Sequence, residues 1–422
     1  MKYNQRLFMT VLAQYRSARN ARRVLQSSML ALCILCSACQ QRPDSAPANH
    51  NAVTDASASQ LSPAARLGQK IFNDASLSAS GVTSCASCHD PAHAYAQNNT
   101  LSVQHGGAHH EKEGFRAAPS LRYLHFTPAF SIDAEGKASG GFNWDGRAAS
   151  LARQAEGPLL SAHEMANPNR QAVLERLKKA AYAEEFKQVF GTSIFDTADA
   201  AFEQLLIALE RFQIEDPSFH PFDSKYDQYL AGKVTLTTAE TRGLRLFNDT
   251  QKGNCAACHS SEKGHDGRPP LFTDFSYDNL GIPRNADLLA NADPSYFDLG
   301  LCGPQRTDLQ TQTALCGAFK VPSLRNVATR KVFFHNGHFK NLQDVLAFYV
   351  RRDTHPQEWY PAAPDNARQR QQFNDLPAQY RANVNTDELP YQRKPGQTPV
   401  LNTEEINDVI AFLKTLTDGY RE

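Results

Sequence analysis

Methionine is scarce in this chain of 422 residues: Met1, Met9, Met29 and Met165 are all there are. No thioether is therefore available beyond residue 165, which limits what could ligate a soft metal in the second half. Charge of one sign is also missing, since Lys plus Arg equals Asp plus Glu at 44 each. Without a basic field, nucleic-acid partners are disfavoured. The apolar run from Met29 to Cys36 is too short to span a bilayer as a helix. No long stretch alternates apolar and polar residues as a half-buried strand does, so the fold class expected is mainly α.

The length suits two domains once a processed leader and a tether are set aside. Residues 1–39 read as a signal peptide: Arg16, Arg19, Arg22 and Arg23 precede the apolar run, which ends in Cys36-Ser-Ala-Cys39. Two readings of that end stand side by side, a lipoprotein signal with Cys39 as the lipid anchor and an ordinary secretory signal with incidental cysteines. Both export the chain to the periplasm, tethered to a membrane in the first case. Residues 40–60 are rich in Ala, Ser, Asn and Pro without periodicity, as in a flexible linker.

The nine cysteines then sort themselves. Cys33, Cys36 and Cys39 belong to the leader. Cys302 and Cys316 are expected to pair as a disulfide in an oxidising compartment, two free buried thiols being the alternative. The other four form Cys85-Ala-Ser-Cys88-His89 and Cys255-Ala-Ala-Cys258-His259, the attachment pattern of c-type haem: two thiols for two vinyl groups and a histidine for the iron. A zinc site would want a second cysteine pair nearby, and here the pairs lie in opposite halves.

An internal repeat precedes the motifs. Leu61 to Asp74 matches Leu236 to Asp249 in register, sharing Leu, Ala, Gly, Phe, Asn and Asp. Both copies start as helices should, Ser62 with Pro63 in one and Thr237 with Glu240 in the other. Residues 171–190 and 199–213 carry helical patterns, and Ile406, Val409, Ile410, Leu413 and Leu416 follow a 3.6 period behind Asn402 and Thr403. The expected architecture is two cytochrome-c-like helical domains, 61–225 and 226–422, each with one covalent haem c.

These motifs, together with Phe142-Asn-Trp-Asp-Gly-Arg-Ala148, Gln154-Ala-Glu-Gly-Pro-Leu159, Glu164-Met165, Val321-Pro-Ser-Leu-Arg-Asn-Val327 and Phe334-His-Asn-Gly337, resemble the bacterial di-haem cytochrome c peroxidase and MauG family over roughly residues 60–420. The resemblance implies a peroxide site at the first haem, an electron-transfer site at the second, and Trp144 between them. It makes Glu164 the acid–base group that moves a proton during peroxide cleavage and Gln154 a distal hydrogen-bonding group. Taken alone, both would be exposed polar residues, and Trp144 a core aromatic.

In scavenging members a histidine loop covers the first haem; His105, His109 and His110 compete for that place against a plain His- and Gly-rich surface loop. Calcium between the domains also belongs to the family pattern, but Ala117 stands where its asparagine ligand is usual. The second haem's sixth ligand is methionine in scavengers and tyrosine in MauG-like members, and Tyr349 occupies that position here. It shares an apolar helix face with Leu342, Val345 and Leu346, where the alternative is a core tyrosine.

The leading expectation is a peroxidase that reacts with hydrogen peroxide at the His89 haem, shares oxidising equivalents with a His259/Tyr349 haem, and oxidises a partner protein or donor. Its rivals are a peroxide-scavenging cytochrome c peroxidase fed by small cytochromes or cupredoxins, and a di-haem electron carrier without catalysis.

Overall fold

The computed structural model describes residues 61–421. The expected leader, with Cys39, and the tether to residue 60 lie outside the described residues. Helices in the first half are α1 (Pro63–Asn73), α2 (Cys85–Cys88), α3 (Leu151–Leu160), α4 (Arg170–Leu177), α5 (Ala183–Phe190) and α6 (Ala198–Glu215). The second half adds α7 (Lys225–Leu230), α8 (Thr238–Asn248), α9 (Leu342–Arg351) and α10 (Thr403–Lys414). None of the described helices is long and apolar enough to cross a membrane.

The two repeated helices are built alike. Ser62 Oγ accepts from Ala65 N at 3.1 Å, with Pro63 in the first turn where its missing N–H costs nothing. Thr237 and Glu240 form a capping box at the start of α8. Each helix then crosses a partner at a glycine: a Cβ on Gly68 would lie 1.9 Å from Ala208 O on α6, and one on Gly243 would lie 1.9 Å from Asp408 O on α10. Backbones can approach that closely only without a side chain. One turn later Phe72 meets Phe212 with ring centroids 5.6 Å apart, and Phe247 meets Phe412 at 5.2 Å. All four rings are buried, and burial of each stabilises the fold by about 1.5–3 kcal/mol.

Around these crossings lie two large apolar cores, one drawn from residues 67–219 and one from 226–416. The helical pattern at 171–190 breaks into α4 and α5. Between them the chain turns, so that the Tyr182 hydroxyl donates to Asp74 at 2.7 Å while Leu177 and Phe186 both reach the first core. Strands are short antiparallel pairs: β1 (His105–Gly106) with β2 (Lys112–Glu113), β3 (Ser131–Ile132) with β4 (Ala138–Ser139), β5 (Tyr277–Asp278) with β6 (Phe319–Lys320), and β7 (Ala362–Ala363) with β8 (Asn366–Arg370). They shape loops rather than form a layer.

A buried polar knot ties the first half to the last residues. Asp418 accepts from the Tyr123 hydroxyl at 2.7 Å, Arg122 at 2.9 Å and Asn326 at 2.6 Å.

Candidate functional site

Each Cys-x-x-Cys-His motif is a single tight turn. Ser84 caps α2 reciprocally with Ser87, and His89 N donates to Cys85 O at 2.9 Å; in the second copy His259 N donates to Cys255 O at 2.9 Å. Burial pushes each of the four thiols up to about 12.

The two histidines are held the same way. His89 Nδ1 faces Tyr95 O at 3.1 Å and Pro119 O at 3.0 Å, and His259 Nδ1 faces Phe272 O at 2.9 Å with the Pro322 carbonyl also in reach. A carbonyl only accepts, so Nδ1 carries the proton and the Nε2 lone pair is left for a metal. Burial lowers His89 to about 4 and lowers His259 as well, keeping both rings neutral.

Pro119 and Pro322 expose a second repeat that sequence reading passed over, although its signal, Pro-Ser-Leu-Arg at 119–122 and again at 322–325, is plain. Ser120 and Ser323 play equal parts, donating to Ala94 O at 2.6 Å and Leu271 O at 2.7 Å. A third repeat pairs Phe142–Ala148 with Phe333–Phe339. Both segments close an antiparallel bridge between their end residues and carry positive φ at the second and fifth positions: Asn143 and Gly146, Phe334 and Gly337. Trp144 thereby corresponds to His335.

Continuing in register, Ser150 caps α3 as Asn341 caps α9, and Pro158 falls opposite Tyr349. One helix thus presents a phenol where its twin presents a ring with nothing to donate. Tyr349 lines a large cavity together with Cys255, Cys258, His259 and Trp144. Its ring lies 5.8 Å from Phe334 and 6.0 Å from Tyr391, and burial, with Asp278 adding to it, raises its pKa far above the usual phenol range. An apolar hollow with a free imidazole nitrogen on one wall, two thiols at its edge and a phenol facing it fits a covalently held haem.

The two halves interlock at Trp144. Its indole N–H donates to Ala117 O at 2.9 Å, and its own carbonyl accepts from Lys320 N at 2.9 Å. Reciprocally, Ala117 N donates to His335 O at 2.8 Å. Ala117 precedes Pro119 by two residues and Lys320 precedes Pro322 by two, so the tryptophan is hydrogen-bonded to both segments that hold the motif histidines. Ala117 offers no side-chain oxygen, and among the described residues no three His, Cys, Asp or Glu groups gather as a metal cluster.

Glu164 stands beside the first motif, close enough that its charge acts on both Cys85 and Cys88. The side chain is accessible, yet burial raises its pKa, with Ser161, Arg147 and His163 pulling the other way. Gln154 Nε2 donates to Asn143 Oδ1 at 3.3 Å.

The hairpin of β1 and β2 packs on this acid. Gly107 N donates to Glu164 O at 2.8 Å, and a Cβ on Gly106 would lie 2.6 Å from Glu164 Cα. His105 and His109 on the hairpin are exposed, while His110 Nδ1 lies 3.3 Å from Thr83 Oγ1. Away from these sites, Cys302 and Cys316 form a buried disulfide with Cα atoms 4.9 Å apart.

The family model for di-haem cytochrome c peroxidase matches residues 62–235. The methylamine utilization protein MauG of Paracoccus denitrificans is 35% identical over 363 residues, 84% of this chain and 88% of that one. Cytochrome c551 peroxidase of Nitrosomonas europaea is 28% identical, covering 67% of this chain and 71% of its own. Among solved structures, the diheme peroxidase BthA from Burkholderia thailandensis superposes with a TM-score of 0.77 at 36% identity, covering 84% of this chain and 86% of that one.

Proposed function

The chain belongs to the di-haem cytochrome c peroxidase family, and on that premise we propose that it is a periplasmic, MauG-like peroxidase that oxidises a partner protein or another donor with hydrogen peroxide. Cys85, Cys88 and His89 would hold one haem c, and Cys255, Cys258, His259 and Tyr349 the other. When bound, the haems supply the iron that meets peroxide and the conjugated rings over which oxidising equivalents spread.

The chain's own residues do the rest. Glu164 takes a proton from the inner peroxide oxygen and returns it to the outer one, assisting cleavage of the O–O bond. Gln154 orients the oxidant or a water by hydrogen bonds. Pro158, at the position that matches Tyr349, would offer the first haem no ligand atom. Trp144, hydrogen-bonded to both histidine-bearing segments, is the polarizable group that carries oxidising equivalents between the sites. Tyr349 would supply the second haem with a hard anionic oxygen that favours oxidised iron, whereas methionine would raise the potential.

The observation that supports this reading is the register match that puts Pro158 of α3 at the position of Tyr349 of α9, a residue without a donor atom against a phenol. The test is resonance Raman spectroscopy of the ferric protein. Iron–phenolate bands should be present and vanish in Tyr349→Phe; an unaltered spectrum would remove the MauG-like reading. A scavenging peroxidase fed by a small cytochrome or cupredoxin is the second reading, favoured by the histidine-bearing hairpin seated on Glu164.

A further inference from the structure

Two cations, Lys320 and Arg330, line the same cavity as Tyr349 and Trp144; Asp278, Asp298, Asp375 and Glu388 line it too, yet among the described residues Arg330 hydrogen-bonds only carbonyls and Lys320 only the Gly141 carbonyl. Lys320 Nζ donates to Gly141 O at 2.5 Å, and Arg330 donates from Nε to Val332 O and from Nη2 to Ala118 O, both at 3.2 Å. Carbonyls accept hydrogen bonds from both groups but do not neutralise the charge. Most other deeply set arginines differ: Arg116, Arg122, Arg306, Arg325 and Arg352 each have a carboxylate oxygen at 2.6–2.9 Å, whereas that of Arg284 lies at 3.9 Å. Near Lys320, Asp145 is already shared by Arg116 and Arg147.

Leaving a cation out of water and unpaired costs several kcal/mol. Burial accordingly lowers Lys320 to about 8, against the pull of Asp145, and Arg330 to about 10. An anion inside the cavity would offset that cost. The placement of the pair adds a second point: Lys320 follows β6 Phe319 and hydrogen-bonds the Trp144 backbone, while Arg330 bridges Ala118 of one half to Val332 of the other. Both charges therefore sit where the two halves meet.

We propose that Lys320 and Arg330 form a carboxylate-binding pair that anchors haem propionate groups at this junction. The assignment rests on the two-haem reading above and extends it to residues with no part in attachment or ligation. A fixed positive charge beside a haem also favours the reduced state, so the pair sets potential as well as seating.

The experiment uses the holoprotein and three variants: Lys320→Met, Arg330→Met and the charge-conserving Arg330→Lys. Each neutral variant should shift at least one haem midpoint potential downward in spectroelectrochemical titration and move the propionate bending bands in resonance Raman spectra. Arg330→Lys should keep the wild-type potential. If either neutral variant leaves both potentials and bands in place, or if Arg330→Lys behaves like Arg330→Met, the pair is not a propionate anchor. Should Arg330→Met fail to accumulate, Lys320→Met and Arg330→Lys decide by the same criteria. Haem staining of the wild type separates the two levels: absence of covalent haem sinks the two-haem reading, whereas two haems with indifferent variants sink only the anchor.

Discussion

At the residue scale, Glu164 is tuned by its surroundings. Burial raises the carboxyl's pKa, and the Ser161 hydrogen bond with Arg147 only partly opposes it. The ionised form is the one that accepts a proton from peroxide, so the rate should fall as pH drops through that raised pKa. Glu164→Gln should abolish this acidic limb and slow the peroxide reaction by about two to four orders of magnitude while haem content stays constant, as read by stopped-flow absorbance. Unchanged kinetics would take Glu164 out of the mechanism. Tyr349 allows a different measurement. Exchanging an anionic oxygen for a neutral thioether in Tyr349→Met should raise the potential of the second haem and let weak donors reduce it. A potential that stays put would mean the phenol is not a ligand.

At the scale of elements, the two helix crossings are the rigid parts on which the motifs hang. Gly68 and Gly243 meet backbone carbonyls where no Cβ fits. Gly243→Ala must push α8 off α10 and should cost about 1–3 kcal/mol or more, seen as a lower midpoint in chemical denaturation. Gly68→Ala should behave the same way on α1 and α6, and a neutral result at either would show that the helices slide freely. The break between α4 and α5 belongs to this scale too. Periodicity runs through residues 171–190, but the Tyr182–Asp74 hydrogen bond is made by a residue more than a hundred positions away, so no local signal marks the turn.

For the whole molecule, the Asp418 knot and the duplicated site carry the predictions. Asp418 is the only carboxylate partner given to Arg122 among the described residues. Asp418→Asn should leave that partly buried arginine unbalanced and destabilise the protein by about 3–5 kcal/mol in equilibrium unfolding. A change within error would mean that water compensates the charge. Duplication is tested on denaturing gels stained for haem. Signal should survive Cys85/Cys88→Ala or Cys255/Cys258→Ala alone and disappear only when both are combined; complete loss in one pair, with protein still present, would mean a single occupied site.

What the amino-acid sequence determined by itself was local: helix caps at Ser62 and Thr237, the helix-to-Cys-x-x-Cys-His order, and the absence of methionine beyond residue 165. Each depends on neighbours within a few positions or on composition, so reading along the chain suffices. Tertiary structure alone decided which carbonyls hold the histidines, that Trp144 is bonded to both halves, and that Lys320 and Arg330 line one cavity with carbonyls for partners. Those relations join residues far apart in the chain. They arise only when two weakly similar halves fold to the same plan and pack with their equivalent loops interlocked.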